Sequence, residues 1–402
     1  VELDLGSNSL GSKACAALDE MISSPATELR ELNLQNNDID DEGIATLTKA
    51  FADNVTLVEV NLGLNPKVTP SGWQIFFTCL RNSPTSIGFL DFVTCLSSSS
   101  IETLNIGQNN ITDKVLATLG DALANNATLR ALDFSSNVRR PNSITAAGWR
   151  SFFDCLQGSK SALQEVTFRG CGINEEELAV VANAMKNDSR FVMLDLSDNP
   201  QLNIAAWRHF FATCFQSPKS SLEGIFLCKN FWEGADELMA DLAGALAYNK
   251  TLEALDLSEN PSISEAGWSH FPHHLCNKSS IDSMYESNHT LNYLGSQELP
   301  PELETLLNLN ENDKREVARQ KILRYQLVHG DTHMQEFLKM KVEVLPNAIS
   351  WLGRHRSWTG PKKNGHSPLY HLLRSMPSLF ASKQTAQAAG VKRKQKSQEV
   401  AL

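Results

Sequence analysis

Through the first 300 residues the apolar positions follow one phrase, L-x-x-L-x-L-x-x-N. It runs as LRELNLQNN (29–37), LVEVNLGLN (57–65), IETLNIGQN (101–109), LRALDFSSN (129–137), FVMLDLSDN (191–199), LEGIFLCKN (222–230) and LEALDLSEN (252–260). LQEVTFRGC (163–171) ends on Cys171 instead of Asn, and the opening VELDLGSN has lost its beginning. Leu32 and Leu34 alternate with Glu31, Asn33 and Gln35, which predicts a short strand with its leucines inward and its polar residues outward. The closing Asn, such as Asn37, carries an amide that both donates and accepts, so it suits a turn whose backbone no helix or strand satisfies.

Between the phrases the apolar period changes from two to about 3.6, the helical value. Two kinds of helix alternate. One, as in NNITDKVLATLGDALANN (109–126) and CGINEEELAVVANAMKND (171–188), is built from leucine, valine and alanine. The other places Trp73, Phe76, Phe77 and Leu80, and again Trp149, Phe152, Phe153 and Leu156, at i, i+3, i+4 and i+7, with near copies around Trp207 and Trp268. Such a stripe occupies one helical face, and a repeat cannot bury that face alone, so the aromatics are expected in the core against the sheet.

The phrase, its spacing and the alternating helices resemble leucine-rich repeats, and among these the ribonuclease-inhibitor-like subfamily. The resemblance implies an α/β fold: a curved right-handed solenoid, or horseshoe, with a parallel β-sheet on the concave face and helices on the convex face. The Trp-x-x-Phe-Phe variant, with EVARQKILRY (316–325) and MPSLF (376–380), also resembles uncharacterised algal repeat proteins, which brings no assigned activity. About ten repeats are expected over 1–299. A helical C-terminal cap is expected over 300–380, and a disordered basic tail over 381–402. IDSMYESNH (281–289) reads as a decaying last strand copy. IGFLDFVTC (87–95) reads as a strand phrase with no room for a helix before the next, either a local insertion or a gene-model error. The chain begins at Val1 inside a strand phrase, so it reads as a fragment.

Charge divides the same way. Residues 301–402 hold 17 Lys and Arg against 9 Asp and Glu, while residues 1–300 hold 19 against 37. The repeats are therefore acidic and the end is basic. The eight cysteines include no C-x-x-C pair and sit mostly at apolar repeat positions, which favours free thiols in a reducing compartment. Sequons such as Asn54-Val-Thr, Asn126-Ala-Thr and Asn249-Lys-Thr belong to a repeated lead-in to the strand, so the repeat accounts for them. No stretch approaches the roughly 18 consecutive apolar residues of a membrane span.

The outward strand positions are the candidate partner-binding surface, because packing does not claim them. They carry Glu31, Glu59, Asp133, Glu165, Asp195 and Asp256, with Arg169 the single base and Met193, Phe226 and Tyr285 as apolar or aromatic contacts. An acidic face steers a basic protein partner; solvation of a large surface is the competing explanation. Cys228 is also expected outward, and Phe231 and Trp232 either join the Phe226 cluster or fold back beneath the loop. His270, His273, His274 and Cys276 crowd a segment disturbed by Pro272, and HGDTH (329–333) suits a helix stop and a new cap. No Gly-rich phosphate loop, G-x-S-x-G or H-E-x-x-H is present.

No catalytic residue, cofactor, metal or small-molecule substrate is expected. The chain reads as a monomeric, non-enzymatic protein-interaction scaffold of the cytoplasm or nucleus. Nucleic-acid contact or nuclear import would fall to Lys392, Arg393, Lys394 and Lys396. By fold analogy alone it could regulate a small GTPase, or it could be the sensing half of a larger receptor. If the aromatic stripe is core, Trp149→Ala lowers stability by ~3–5 kcal/mol. Thermal and urea melts check this, and an unchanged melting temperature would place the indole outside the core.

Overall fold

The computed structural model describes residues 1–79, 100–137, 144–215, 217, 220–230, 232–247, 249–295, 298–312, 314–322, 324–325, 344, 346–347 and 349–350. IGFLDFVTC, Leu80, Phe231, HGDTH and the tail from 381 lie outside the described residues. The chain forms two compact units, residues 1–271 with 290–304, and residues 272–289 with 305–402.

The first unit is an open parallel sheet with its nine strands in chain order. They are β1 (Glu2–Asp4), β2 (Glu31–Asn33), β3 (Glu59–Asn61), β4 (Thr103–Asn105), β5 (Ala131–Asp133), β6 (Glu165–Thr167), β7 (Met193–Asp195), β8 (Gly224–Phe226) and β9 (Ala254–Asp256). Helices α1 (Gly11–Ile22), α2 (Asp41–Asp53), α3 (Pro70–Cys79), α4 (Asp113–Leu123), α5 (Ala146–Leu156), α6 (Glu175–Asn187), α7 (Ile204–Phe215), α8 (Ala235–Leu246) and α9 (Glu265–Trp268) follow them in turn. The expected α/β leucine-rich-repeat solenoid is the fold observed. Neighbouring strands pair without a slip: Leu32 faces Val60, Val60 faces Leu104, and so on to Leu255. Each of these central residues is buried, so a one-residue shift would expose the whole apolar set.

The turn after each strand depends on its asparagine. Asn37 N–H donates to Asn65 Oδ1 at 3.1 Å, Asn65 N–H to Asn109 Oδ1 at 2.9 Å, and Asn109 N–H to Asn137 Oδ1 at 2.8 Å. The amide nitrogens point the other way, Asn65 Nδ2 donating to the carbonyls of Leu34 and Leu62. The ladder resumes from Asn199 to Asn230 to Asn260. At the interruption Cys171 donates its thiol to Phe134 O at 3.2 Å, and burial pushes that thiol up to about 12. Just before each ladder residue the backbone enters the left-handed region, at Asn36, Leu64, Gln108, Ser136, Asp198, Lys229 and Glu259; in the Cys171 repeat that place is held by Gly170.

The aromatic stripe is core. Trp73, Phe76, Phe77, Trp149, Phe152, Trp207, Phe210 and Phe211 are all buried. Around Trp149 the strands adapt: Phe134 and Phe168 replace the usual leucine and stack at 5.8 Å, with the indole edge-on to them at 5.1 and 4.8 Å. In the last aromatic copy the helix breaks into α9 and α10 (Phe271–Leu275), where Pro272 supplies no N–H and disfavours a helical residue before it.

Residues 281–289 are not the tenth strand. Ser280 caps a helical turn, α11 (Ile281–Glu286), by accepting from Ser283 N–H. The sheet instead continues ten residues later, where Ala254 bridges to Tyr293 and Leu255 N–H donates to Tyr293 O at 3.0 Å. The lead-in phrase marks the place. Asn54, Asn126 and Asn249 each accept from the N–H groups two and three residues on, which launches the strands at Leu57, Leu129 and Leu252. Asn288-His-Thr-Leu291 repeats the wording. The chain goes on through α12 (Pro301–Asn310) and α13 (Lys314–Ile322). In the second unit the buried Lys321 ammonium donates to the carbonyls of Leu275 at 2.6 Å and Asn288 at 2.9 Å.

One periodic device ties each leucine-type helix to the aromatic helix after it. Asp41, in the first turn of α2, accepts from Thr69 N–H at 2.7 Å and from its hydroxyl at 2.6 Å. Asp113 treats Thr145 alike, both bonds at 2.7 Å, and Asp236 treats Ser264 likewise at 2.9 and 2.6 Å. These carboxylates occupy the space above the glycine that precedes each tryptophan: a Cβ on Gly72, Gly148 or Gly267 would overlap them. The third copy changes all three parts together, with Glu175 bonded to Asn203 and Ala206 in the glycine's place.

Gly148→Ala should therefore break the Asp113 clip and cost ~1–3 kcal/mol, the usual range for overpacking. Adding Asp113→Glu, which recreates the natural Glu175 and Ala206 pairing, should recover part of that loss. A double-mutant cycle in urea measures both effects. Strict additivity would show that the two side chains do not share this space.

Candidate functional site

The outward face of the sheet is built from alternate strand residues, which the pleat turns away from the core. Register places them in rows across the strands. The first row begins Glu2, Glu31, Glu59 and ends Glu165, Met193, Gly224, Ala254, with Tyr293 bridged beside Ala254. The second row, two residues further on, includes Asn33, Asn61, Asn105, Asp133, Asp195, Phe226 and Asp256.

These rows have different duties. In the second row the side-chain oxygen closes a turn by accepting from the N–H two residues on. Asn33 does so for Gln35 at 3.0 Å, Asn105 for Gly107 at 2.8 Å, Asp133 for Ser135 at 2.7 Å, Asp195 for Ser197 at 2.8 Å and Asp256 for Ser258 at 2.9 Å. Asn and Asp serve this turn equally well. The three carboxylates are only half-exposed, and burial is the main reason that Asp195 ionises above the usual carboxylate range. Hydrogen bonds from Ser197 and the charge of Arg169 oppose that rise, while Asp133 adds to it. First-row Glu31, Glu59 and Glu165 are exposed, as is Arg169 beyond the second row.

Toward β9 the face turns apolar. A Cβ on Gly224 would overlap Met193 Sδ, so the methionine lies flat across the neighbouring strand. Phe226 is half-exposed and cannot close the turn its neighbours close; Cys228 N–H donates instead to Ser197 Oγ of the adjacent repeat, at 3.1 Å. Tyr293 is 49 % exposed.

Several expected positions fall elsewhere. Tyr285 stands on α11, half-buried, with its hydroxyl 3.3 Å from Asn347 Nδ2, because Ser280 starts a helix there. The sheet presents Tyr293 instead, in the first row beside Ala254. Cys228 is buried, bonded to Ser258 Oγ at 3.3 Å, and burial raises its thiol. Trp232 folds back into the core against Trp207, with ring centroids 5.7 Å apart.

Among the described residues no three His, Cys, Asp or Glu side chains gather as a metal-binding group, and no helix is long and apolar enough to cross a membrane. His273 and His274 meet edge to face at 5.4 Å, and Cys276 is buried.

A family model described as "Leucine Rich repeat" matches residues 27–47, 97–118 and 248–267. The mouse protein "NACHT, LRR and PYD domains-containing protein 14" is 24% identical over 258 residues, which cover 64% of this chain and 24% of that protein. The human "NACHT, LRR and PYD domains-containing protein 5" is 25% identical over 260 residues, covering 65% and 20%. The chain thus spans a quarter or less of the length of these relatives. Among solved structures, the yeast Rad7 and Elc1 complex aligns at a TM-score of 0.32 and 13% identity, over 72% of this chain and 85% of the matched chain.

Because Asn33, Asn61 and Asn105 close the same turn without charge, Asp195→Asn should keep the bond to Ser197 and relieve a buried carboxylate. Stability at neutral pH should rise by about 0.5–2 kcal/mol, the range of single stabilising changes. The folded-state pKa of Asp195 is raised, so the ionised group costs stability above that pKa and the gain should vanish as pH falls through it. Urea midpoints at neutral and mildly acidic pH test the sign. A destabilised variant would mean that Arg169 or another cation already neutralises the charge.

Proposed function

Because the chain is a leucine-rich-repeat protein, we propose that it is a non-enzymatic scaffold that holds a basic protein partner against the outward face of its sheet. Repeat domains of this kind generally mediate protein–protein interaction, since their face residues are free of packing duties. The observation that carries the reading is the first row. Glu2, Glu31 and Glu59 stand side by side in register, exposed, at the strand spacing of about 4.8 Å. Like charges directly opposite one another weaken a sheet, and no turn requires a carboxylate in this row. A cationic partner would remove that repulsion and be steered in by it.

The working molecule in this reading is a monomer of the cytoplasm or nucleus, where free cysteines such as Cys171 and Cys214 persist. A second reading follows from the relatives, whose names join LRR to NACHT and PYD domains. In it the same face is the sensing portion of a larger receptor.

The two faces of the repeats can be compared directly. A photo-crosslinking residue at 31 or 165 should give partner adducts in extracts of expressing cells, fading as salt rises. The same residue at exposed helix positions 42 or 176 should give none. Adducts from the helices alone would remove the sheet face as the binding surface.

A further inference from the structure

Resting on the reading that the sheet face binds protein, we propose that its β7–β9 end is an arginine-recognition site. It takes an extended partner segment with an arginine two positions from a large apolar residue.

The second row supplies the arginine half. Register sets the half-exposed Phe226 between Asp195 on one adjacent strand and Asp256 on the other, the strands being about 4.8 Å apart, with the Asp256 carboxylate lying over Gly295. A guanidinium is planar and weakly hydrated; it can lie on the ring and donate in its own plane to carboxylates at its edges. Lysine offers a compact, strongly hydrated charge with neither the stacking plane nor the fork. Both Oδ1 atoms are engaged by the turn N–H groups of Ser197 and Ser258, which fixes the carboxylates before any ligand arrives.

The apolar half lies in the first row, two residues back along the same strands. Met193 lies across Gly224, Ala254 follows, and Tyr293 stands up at the edge. Residues i and i+2 of a strand are roughly 7 Å apart, which is also the distance between the two rows. A segment running along the strands thus presents alternate side chains to the two rows, one apolar and one cationic.

The scaffold turn accepts asparagine or aspartate alike and so does not by itself require these choices. Asparagine closes the same turn at Asn33 and Asn105 and aspartate at Asp133, so the turn does not dictate the acids on the two strands next to Phe226, and Asp195 ionises with difficulty because of burial. Phe226 gives up the turn bond altogether, and Ser197 Oγ replaces it. A cation seated there would also offset the cost of the buried charge at Asp195.

A random-peptide phage library selected against the immobilised full chain tests the site. The expected consensus has Arg two positions from Leu, Ile, Met or an aromatic. The best peptide, made synthetically, should bind about tenfold or more weakly after Arg→citrulline in the peptide or Phe226→Ala in the protein, as loss of a central anchor does. Asp195→Asn and Asp256→Asn keep the turn acceptors, so they serve even if Phe226→Ala fails to fold; each should weaken binding several-fold. Glu31→Gln, on the same acidic face but remote from β7–β9, should weaken binding far less than either Asn variant, and Glu42→Gln, exposed on α2, should change nothing. A consensus without arginine, or binding that survives both Asn variants, overturns the site. Equal sensitivity to Glu31→Gln would show diffuse attraction to the acidic face, which sinks the arginine site and leaves the broader reading intact. Absence of sheet-face crosslinks would sink the broader reading.

Discussion

A turn that follows a three-residue strand leaves backbone N–H and C=O groups with neither a helix nor a ladder to satisfy them, and burying such groups costs about 1–3 kcal/mol each. The asparagine that ends every complete phrase but the one closed by Cys171 meets that demand on both sides, accepting from the repeat before and donating to its own turn. The strands can be so short because the turns are held this firmly. Once the turns are fixed, the strand residues fall into register, and the helices have a common sheet on which to bury their faces.

That dependence explains what could be read in the chain without coordinates. Leu32, Leu34 and Asn37 recur because each is required, so the strands and the aromatic core were legible from periodicity, and the parallel sheet from the resemblance that the repeated phrase carries. The fate of Trp149 followed from its helical spacing with Phe152 and Phe153. The last repeat was harder. Ile281, Met284 and the residues between them can be arranged as a strand phrase, yet Ser280 offers a helix cap that pattern counting ignores. The true tenth position was signalled by Asn288-His-Thr-Leu291, a lead-in that works through hydrogen bonds to backbone and leaves no trace in hydrophobic periodicity.

Outward positions were legible only as a set. Sequence alternation identifies Asp133, Asp195 and Asp256 as outward, but not that each closes a turn; that duty appears when their oxygens are seen on Ser135, Ser197 and Ser258. It separates acids that could be asparagine from acids that stand free, such as Glu31 and Glu59. Likewise Cys228 alternates outward on paper, yet the crowding of Ser197, Ser258 and Asp256 around it closes it from solvent. The face is best understood as scaffold positions on which a few side chains exceed what the scaffold asks.

The clip between helices sets the grain at which this molecule can change length. Aspartate belongs to the leucine-type repeat, while the hydroxyl cap and the glycine belong to the aromatic one. In the other direction, Arg208 of an aromatic helix reaches Glu237 and Asp241 of the leucine-type helix that follows. A single repeat lost or gained would set like against like, leaving caps without acids and two aromatic faces competing for one bed of small side chains. Growth by duplication, and any attempt to lengthen or shorten the solenoid by hand, should therefore proceed in pairs.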